Sequence, residues 1–101
     1  MNNEAGGRQS KATYRLDLIP PVVLLAVGRV LAEEFEEYGP PAGGGVENWR
    51  KIPIPDHLNH AMVHVAAYNA GDRSDDHLTH AICRLIFAAA MDDKRATETP
   101  A

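Results

Sequence analysis

A run that opens on two prolines and closes on Gly39-Pro40-Pro41 constrains this chain more than any other feature. Proline suits the first helical position because its missing N–H has no partner there, and glycine followed by proline ends a helix. The spacing therefore predicts a first helix opening at Pro20-Pro21 and running through Val22 to about Tyr38. A loop from Pro40 to Lys51 follows, with Gly43, Gly44 and Gly45 in succession and Asn48-Trp49 as its anchor. Ile52-Pro53-Ile54-Pro55 reads as extended, Asp56 as the N-cap of a second helix, His57 to Ala70, and Gly71 as its stop. Ser74 reads as the cap of a third helix, with Asp75 and Asp76 in its first turn, continuing to about Asp93. Leu78, Ile82, Leu85, Ile86 and Ala89 fall along one side of it. Strand-like alternation does not extend beyond Thr13 to Ile19, so the expected fold class is all-α, a small helical bundle.

With 101 residues the chain has room for one domain, expected over residues 13–95, flanked by a flexible leader (1–12) and a flexible tail (96–101) that carry no periodic apolar residues. A monomer near this length buries only about 60–65% of its unfolded surface, so oligomerisation would help complete the core. Ten Lys and Arg against fourteen Asp and Glu leave a formal charge of −4. That balance, without a basic tract, argues against nucleic acid or an anionic membrane as partner. The lone Cys83 excludes an intrachain disulfide and points to a reducing, cytoplasmic setting. No apolar run approaches the roughly 18 residues of a membrane span.

Four of the fourteen acidic residues sit in Glu33-Glu34-Phe35-Glu36-Glu37, at the end of the first helix. The helix dipole disfavours carboxylates there by a few tenths to about 1 kcal/mol each, and Glu33 and Glu37 repel at i, i+4. At about 100° per residue, Val23, Val27, Val30, Leu31 and Tyr38 face the core, with Glu34 inside that arc, Glu37 at its border and Glu36 on the wet side. Carboxylates converging at a core edge call for a counter-charge, which a hard divalent ion, Mg²⁺ or Mn²⁺, supplies through oxygen ligands. The alternative is a solvated helix end with Arg29 pairing Glu33.

All five histidines lie between residues 57 and 80. His57, His60, His64 and Tyr68 share a stripe of the second helix, and Asp76, His80 and Arg84 share a face of the third, with His77 beside it. Such stripes suit metal or phosphate, and equally suit ordinary hydrogen-bonded histidines. Zinc motifs are missing: there is no Cys-x-x-Cys and no His-Glu-x-x-His. The glycine run is not followed by Gly-Lys-Ser/Thr, so it is no phosphate-binding loop, and Cys83 lies in an apolar helix that suits a core residue better than a nucleophile.

Read in order, Tyr14-Arg15-Leu16-Asp17-Leu18-Ile19-Pro20-Pro21, Glu34 to Tyr38-Gly39, Asn48-Trp49, His60-Ala61-Met62-Val63-His64 and His77-Leu78-Thr79-His80-Ala81 resemble the phage-associated dATP/dGTP diphosphohydrolase N-terminal family, itself similar to MazG-type nucleotide pyrophosphohydrolases. The resemblance spans about residues 11–93. It implies an all-α, oligomeric enzyme that cleaves a (deoxy)purine nucleoside triphosphate, dGTP, GTP or dATP, between the α and β phosphates with Mg²⁺ or Mn²⁺. It further implies that Glu33, Glu34 and Glu37 match the Glu-Glu-x-x-Glu pattern of the first helix. Where relatives carry Glu-x-x-Asp on the facing helix, this chain has Asp75-Asp76-His77-Leu78-Thr79-His80, so the second contribution falls to Asp76, with His80 beside it.

Within that implied site, Glu34, Glu37 and Asp76 are the expected catalytic groups, and Glu33, Glu34, Glu37, Asp76 and His80 the expected metal ligands. Arg15, Lys51 and Arg84 are candidate phosphate partners. Asn48, Trp49 and the Arg15 to Ile19 segment, with Asp17, face the base, and His64 completes the substrate-binding set. A His-Asp-type phosphohydrolase is disfavoured because Asp56-His57 and Asp76-His77 stand in the reverse order of that dyad. A helical interaction module with an acidic patch is the non-catalytic alternative. A homodimer or homotetramer is expected, because Cys83, Phe87 and Met91 lie opposite Leu78, Ile82 and Leu85 and three helices cannot bury both sides.

Overall fold

The computed structural model describes residues 13–38 and 48–93. The expected leader (1–12), the Gly39-Pro40-Pro41 stop, the glycine loop through Gly45, and the tail (96–101) lie outside the described residues. Three helices carry the fold: α1, Pro21–Tyr38; α2, Ile54–Asn69; and α3, His77–Asp92. Single 3₁₀ turns at Leu16–Leu18 and Asn48–Lys51 precede α1 and α2. Among the described residues there is no strand, and Thr13 to Ile19 contributes a turn instead.

α1 begins with a proline in its first turn, as its sequence predicts. α2 starts earlier than expected, at Ile54 with Pro53 as N-cap, and Asp56 lies in the first turn instead of capping it. The reason is local: Pro55 falls among the first helical positions, where an N–H has no intrahelical partner, so the Ile-Pro-Ile-Pro run is half helix rather than wholly extended. At the other end Gly71 takes φ +96. Asp72 N–H reaches back to the Ala67 carbonyl at 3.1 Å and Gly71 N–H to that of Tyr68 at 3.0 Å, the glycine-centred double closure that a side chain with a Cβ resists. Arg73 adds to this end, donating to the Tyr68 carbonyl at 2.8 Å while its guanidinium lies 3.7 Å from the centre of the Tyr68 ring.

α3 begins later than expected. Asp76, not Ser74, is its N-cap, accepting from the Thr79 N–H at 3.4 Å, and Asp75 lies outside the helix. The buried face of α3 is His77, Thr79, Ala81, Cys83, Phe87 and Ala88. The large aliphatic residues Leu78, Leu85 and Ile86 stay exposed, while α3 meets α2 through His77, His80, Arg84 and Phe87, whose partners are His64 and His57. α1 packs on α3 alone to any extent. Val30 is fully buried there, and the Cys83 thiol points to the Val27 carbonyl at 4.0 Å.

The turn before α2 is anchored by its tryptophan. Trp49 stacks on Phe87 with centroids 5.1 Å apart and planes 7° from parallel. Below it His57, fully buried, donates from Nε2 to the Trp49 carbonyl at 2.9 Å and accepts at Nδ1 from Arg84 at 3.2 Å. Among the described residues no helix is long and apolar enough to cross a membrane.

Candidate functional site

The acidic end of α1 meets the start of α3 through one arginine. Arg29 donates to Glu33 at 3.2 Å and to Asp76 at 2.9 Å, so a single guanidinium bridges carboxylates from two elements. All three side chains remain about half exposed. Glu34 is half-buried on the arc the sequence predicts, and Glu33, Glu36 and Glu37 are exposed. Burial, with the negative charges of Glu34 and Asp76 behind it, pushes the Cys83 thiol up to about 11, which fits a core cysteine and not a nucleophile. The bond from Thr79 and then the nearby Arg29 hold Asp76 below the usual carboxylate range. This end thus offers carboxylate oxygen donors and already holds a cationic group between two of them, a donor chemistry that suits a hard divalent ion.

A second cluster lies where α2 and α3 face each other beside the Gly71 turn. His64 Nδ1 and His77 Nδ1 are 2.9 Å apart, and the His77 Nε2–H donates to Asp72 at 2.9 Å. The His80 ring stacks on that of His64 at 5.0 Å, 19° from parallel, and its Nε2 lies 3.3 Å from Asp75. Burial, then the neighbouring His80 and His77, holds His64 below the ordinary histidine range. Asp72 is pulled down to about 2 by the Ser74 N–H and then by His77. Among the described residues, His64, Asp75 and His77 form the group whose ligand atoms all lie within 4.8 Å of one another.

The expected site residues are thus distributed over several places. Glu33 and Asp76 come together through Arg29, and Glu34 and Asp76 both act on Cys83. Glu37 is exposed on the last turn of α1. The contacts of His80 run to Asp75 and His64, which ties it to the imidazole cluster. Arg15 and Asp17 pair with each other at 2.8 Å, both exposed. Asn48 and Trp49 are half-buried, Trp49 under Arg50 at 4.6 Å and against Phe87, and Lys51 is exposed at the end of the same turn. Arg84 is directed inward to His57.

Asp72, Asp75, His77 and Arg29 are the participants that reading along the chain left out of the expected site. A signal for the first two was present: His64 and His77 stand at nearly equal separations on either side of Gly71, so an antiparallel helix pair closing there must bring them opposite each other and carry the turn carboxylates with them.

A family model described as dATP/dGTP diphosphohydrolase, N-terminal, matches residues 3–100. Neither a curated protein nor a solved structure matches the chain.

Proposed function

From a chain that belongs to the dATP/dGTP diphosphohydrolase, N-terminal, family, we propose a metal-dependent hydrolase that cleaves a purine deoxynucleoside triphosphate, dGTP foremost, between its α and β phosphates to the monophosphate and pyrophosphate. GTP and dATP are the next substrates in order. The observation that supports this most is the meeting of the acidic end of α1 with Asp76 across Arg29. Polyanionic phosphates do not approach carboxylates unaided, and a cluster of this kind serves them through a cation.

Glu33, Glu34, Glu37 and Asp76 would hold Mg²⁺ or Mn²⁺, and His80 would join them only by leaving Asp75 and His64. When bound, such an ion neutralises the triphosphate and makes its phosphorus open to attack by water. The protein's own part is positioning and electrostatics. Glu34, half-buried, is the carboxylate best placed to hold a water in a fixed orientation and accept its proton. Glu37 and Asp76 complete the negative rim from the two helices, and Arg29 keeps Glu33 and Asp76 in register until substrate arrives. Arg15 and Lys51, both exposed, can meet phosphate oxygens directly. Arg84 must leave His57 to do so. Asp17 competes with phosphate for Arg15, which ties substrate entry to the opening of that pair. Asn48 offers a purine an amide, and Trp49, held rigid by Phe87, offers an aromatic face once Arg50 moves off it, while His64 stands apart between α2 and α3.

A homodimer or homotetramer in the cytoplasm is part of this reading. Leu24, Leu25, Leu78, Leu85 and Ile86 are exposed, and Leu58, Ala61, Met62, Val65, Ala66, Asn69 and Leu85 line an apolar groove of about 450 Å³, a shape a second copy would fill. The test of the whole is to incubate the protein with each common NTP and dNTP plus Mg²⁺ or Mn²⁺ and resolve the products. Monophosphate plus pyrophosphate, fastest with dGTP, is expected. Nucleoside plus triphosphate would assign the His-Asp type of reaction instead, and no turnover would leave a helical interaction module.

A further inference from the structure

We infer that His64, Asp75 and His77 form a separate metal site that takes a borderline divalent ion, Zn²⁺ or Co²⁺, in preference to Mg²⁺. The inference is independent of the nucleotide reading. It begins with the donors: two imidazole nitrogens and one carboxylate oxygen, all within 4.8 Å of one another, are the mixture that zinc-like ions favour and magnesium does not. It continues with their orientation. His77 gives its Nε2–H to Asp72, which fixes the tautomer and leaves the Nδ1 lone pair aimed at His64 Nδ1, 2.9 Å away.

Two imidazole nitrogens that close must share a proton or a metal. Tetrahedral Zn–N bonds of about 2.05 Å set the two nitrogens about 3.3 Å apart, so exchanging the proton for the ion asks for a few tenths of an ångström of opening. A carboxylate receiving the far N–H of a ligating histidine is the arrangement that raises ligand basicity in metal sites, and Asp72 stands in that position before any metal arrives. His80, 3.3 Å from Asp75, steadies the third ligand. Three protein ligands leave a fourth position beside Asp75, which is about half exposed, so the ion has an entry path. Bound there, it ties α2 to the start of α3 across the Gly71 turn.

The experiment uses the full chain stripped with a chelator, titrated with Zn²⁺ by calorimetry and with Co²⁺ by visible absorption, each with Mg²⁺ in excess. The expected result is one ion per chain, a tetrahedral Co²⁺ spectrum, a raised melting temperature, and no displacement by Mg²⁺. His64→Ala and Asp75→Asn should each weaken binding at least about tenfold, and Asp72→Ala, which removes no ligand, by about 10–100-fold. Glu34→Gln should leave it unchanged. Circular dichroism of each variant without metal separates lost ligation from lost folding, and Asp75→Asn, at an exposed position outside any helix, keeps the test alive where the histidine variant unfolds. No uptake, uptake indifferent to Asp75→Asn and Asp72→Ala, or ready displacement by Mg²⁺ would overturn the inference. None of these outcomes bears on turnover with Mg²⁺, which judges the nucleotide reading separately.

Discussion

The acidic end of α1 and the imidazole cluster beside Gly71 are both charged, both near the start of α3, and built on opposite principles. The first consists of long carboxylate side chains, mostly exposed, joined by one bridging arginine. The second consists of short rings in part-buried contact, each with a named hydrogen-bond or stacking partner. An exposed rim can rearrange around an incoming ion and substrate at small cost, because water already solvates it. A part-buried network holds one geometry and is costly to break, because each lost partner leaves a polar group away from water. The difference separates a place suited to turnover from a place suited to holding an ion or a fold.

The largest effect expected is catalytic and confined to the first region. Glu34→Gln and Glu37→Gln should each lower kcat/KM for dGTP by about 100-fold or more, the usual range for removing a positioned acid or base, while the circular dichroism spectrum stays native. Glu36→Gln, on the wet side of α1, should be near neutral. Equal losses at all three positions would mean that the rotation of α1 plays no part and that the whole acidic run acts as a diffuse patch.

Stability should show the reverse order. His77→Ala removes a buried ring that serves both Asp72 and His64, and should cost about 1–3 kcal/mol in a denaturant titration. Arg29→Ala breaks two ion pairs whose partners are about half exposed, and should cost about 1 kcal/mol or less. A larger loss at Arg29 than at His77 would break the contrast between the two regions.

The smallest effect is in the pH dependence of the metal-free chain. His64 is held below its ordinary value of about 6.5, first by burial. The unfolded chain therefore binds more protons than the folded one between the two values. The stability this group contributes is complete above about pH 6.5 and is lost as pH falls through the depressed value. Melting temperature should fall on mild acidification, and His64→Gln should flatten the fall. A slope unchanged by that substitution would place the titrating group elsewhere.

How much of this could be read along the chain follows from how local each feature is. The start of α1 and the stop at Gly71 were legible because proline and glycine act through their own backbone. The inward turn of Glu34 was legible because it shares an arc with Val27 and Val30 on the same helix. The start of α2 was misjudged, since Pro53 and Pro55 look extended as a pair and only the first-turn position makes the second one helical. The buried face of α3 was not legible. Leu78, Leu85 and Ile86 are the more apolar side chains, but α3 meets α2 through His77, His80, Arg84 and Phe87, contacts that are set by His64 and His57 and invisible from α3 alone. The imidazole cluster failed to emerge for the same reason: its histidine stripes were visible, while Asp72 and Asp75 join them only once the turn has closed.

The central claim, that the acidic end of α1 serves the cleavage of a nucleotide, is tested most directly by incubating the wild-type chain and Glu34→Gln with dGTP and Mn²⁺ and separating the nucleotide products. The account predicts dGMP and pyrophosphate from the wild type and almost none from the variant. Deoxyguanosine with triphosphate as the products, or undiminished dGMP from the variant, would contradict it.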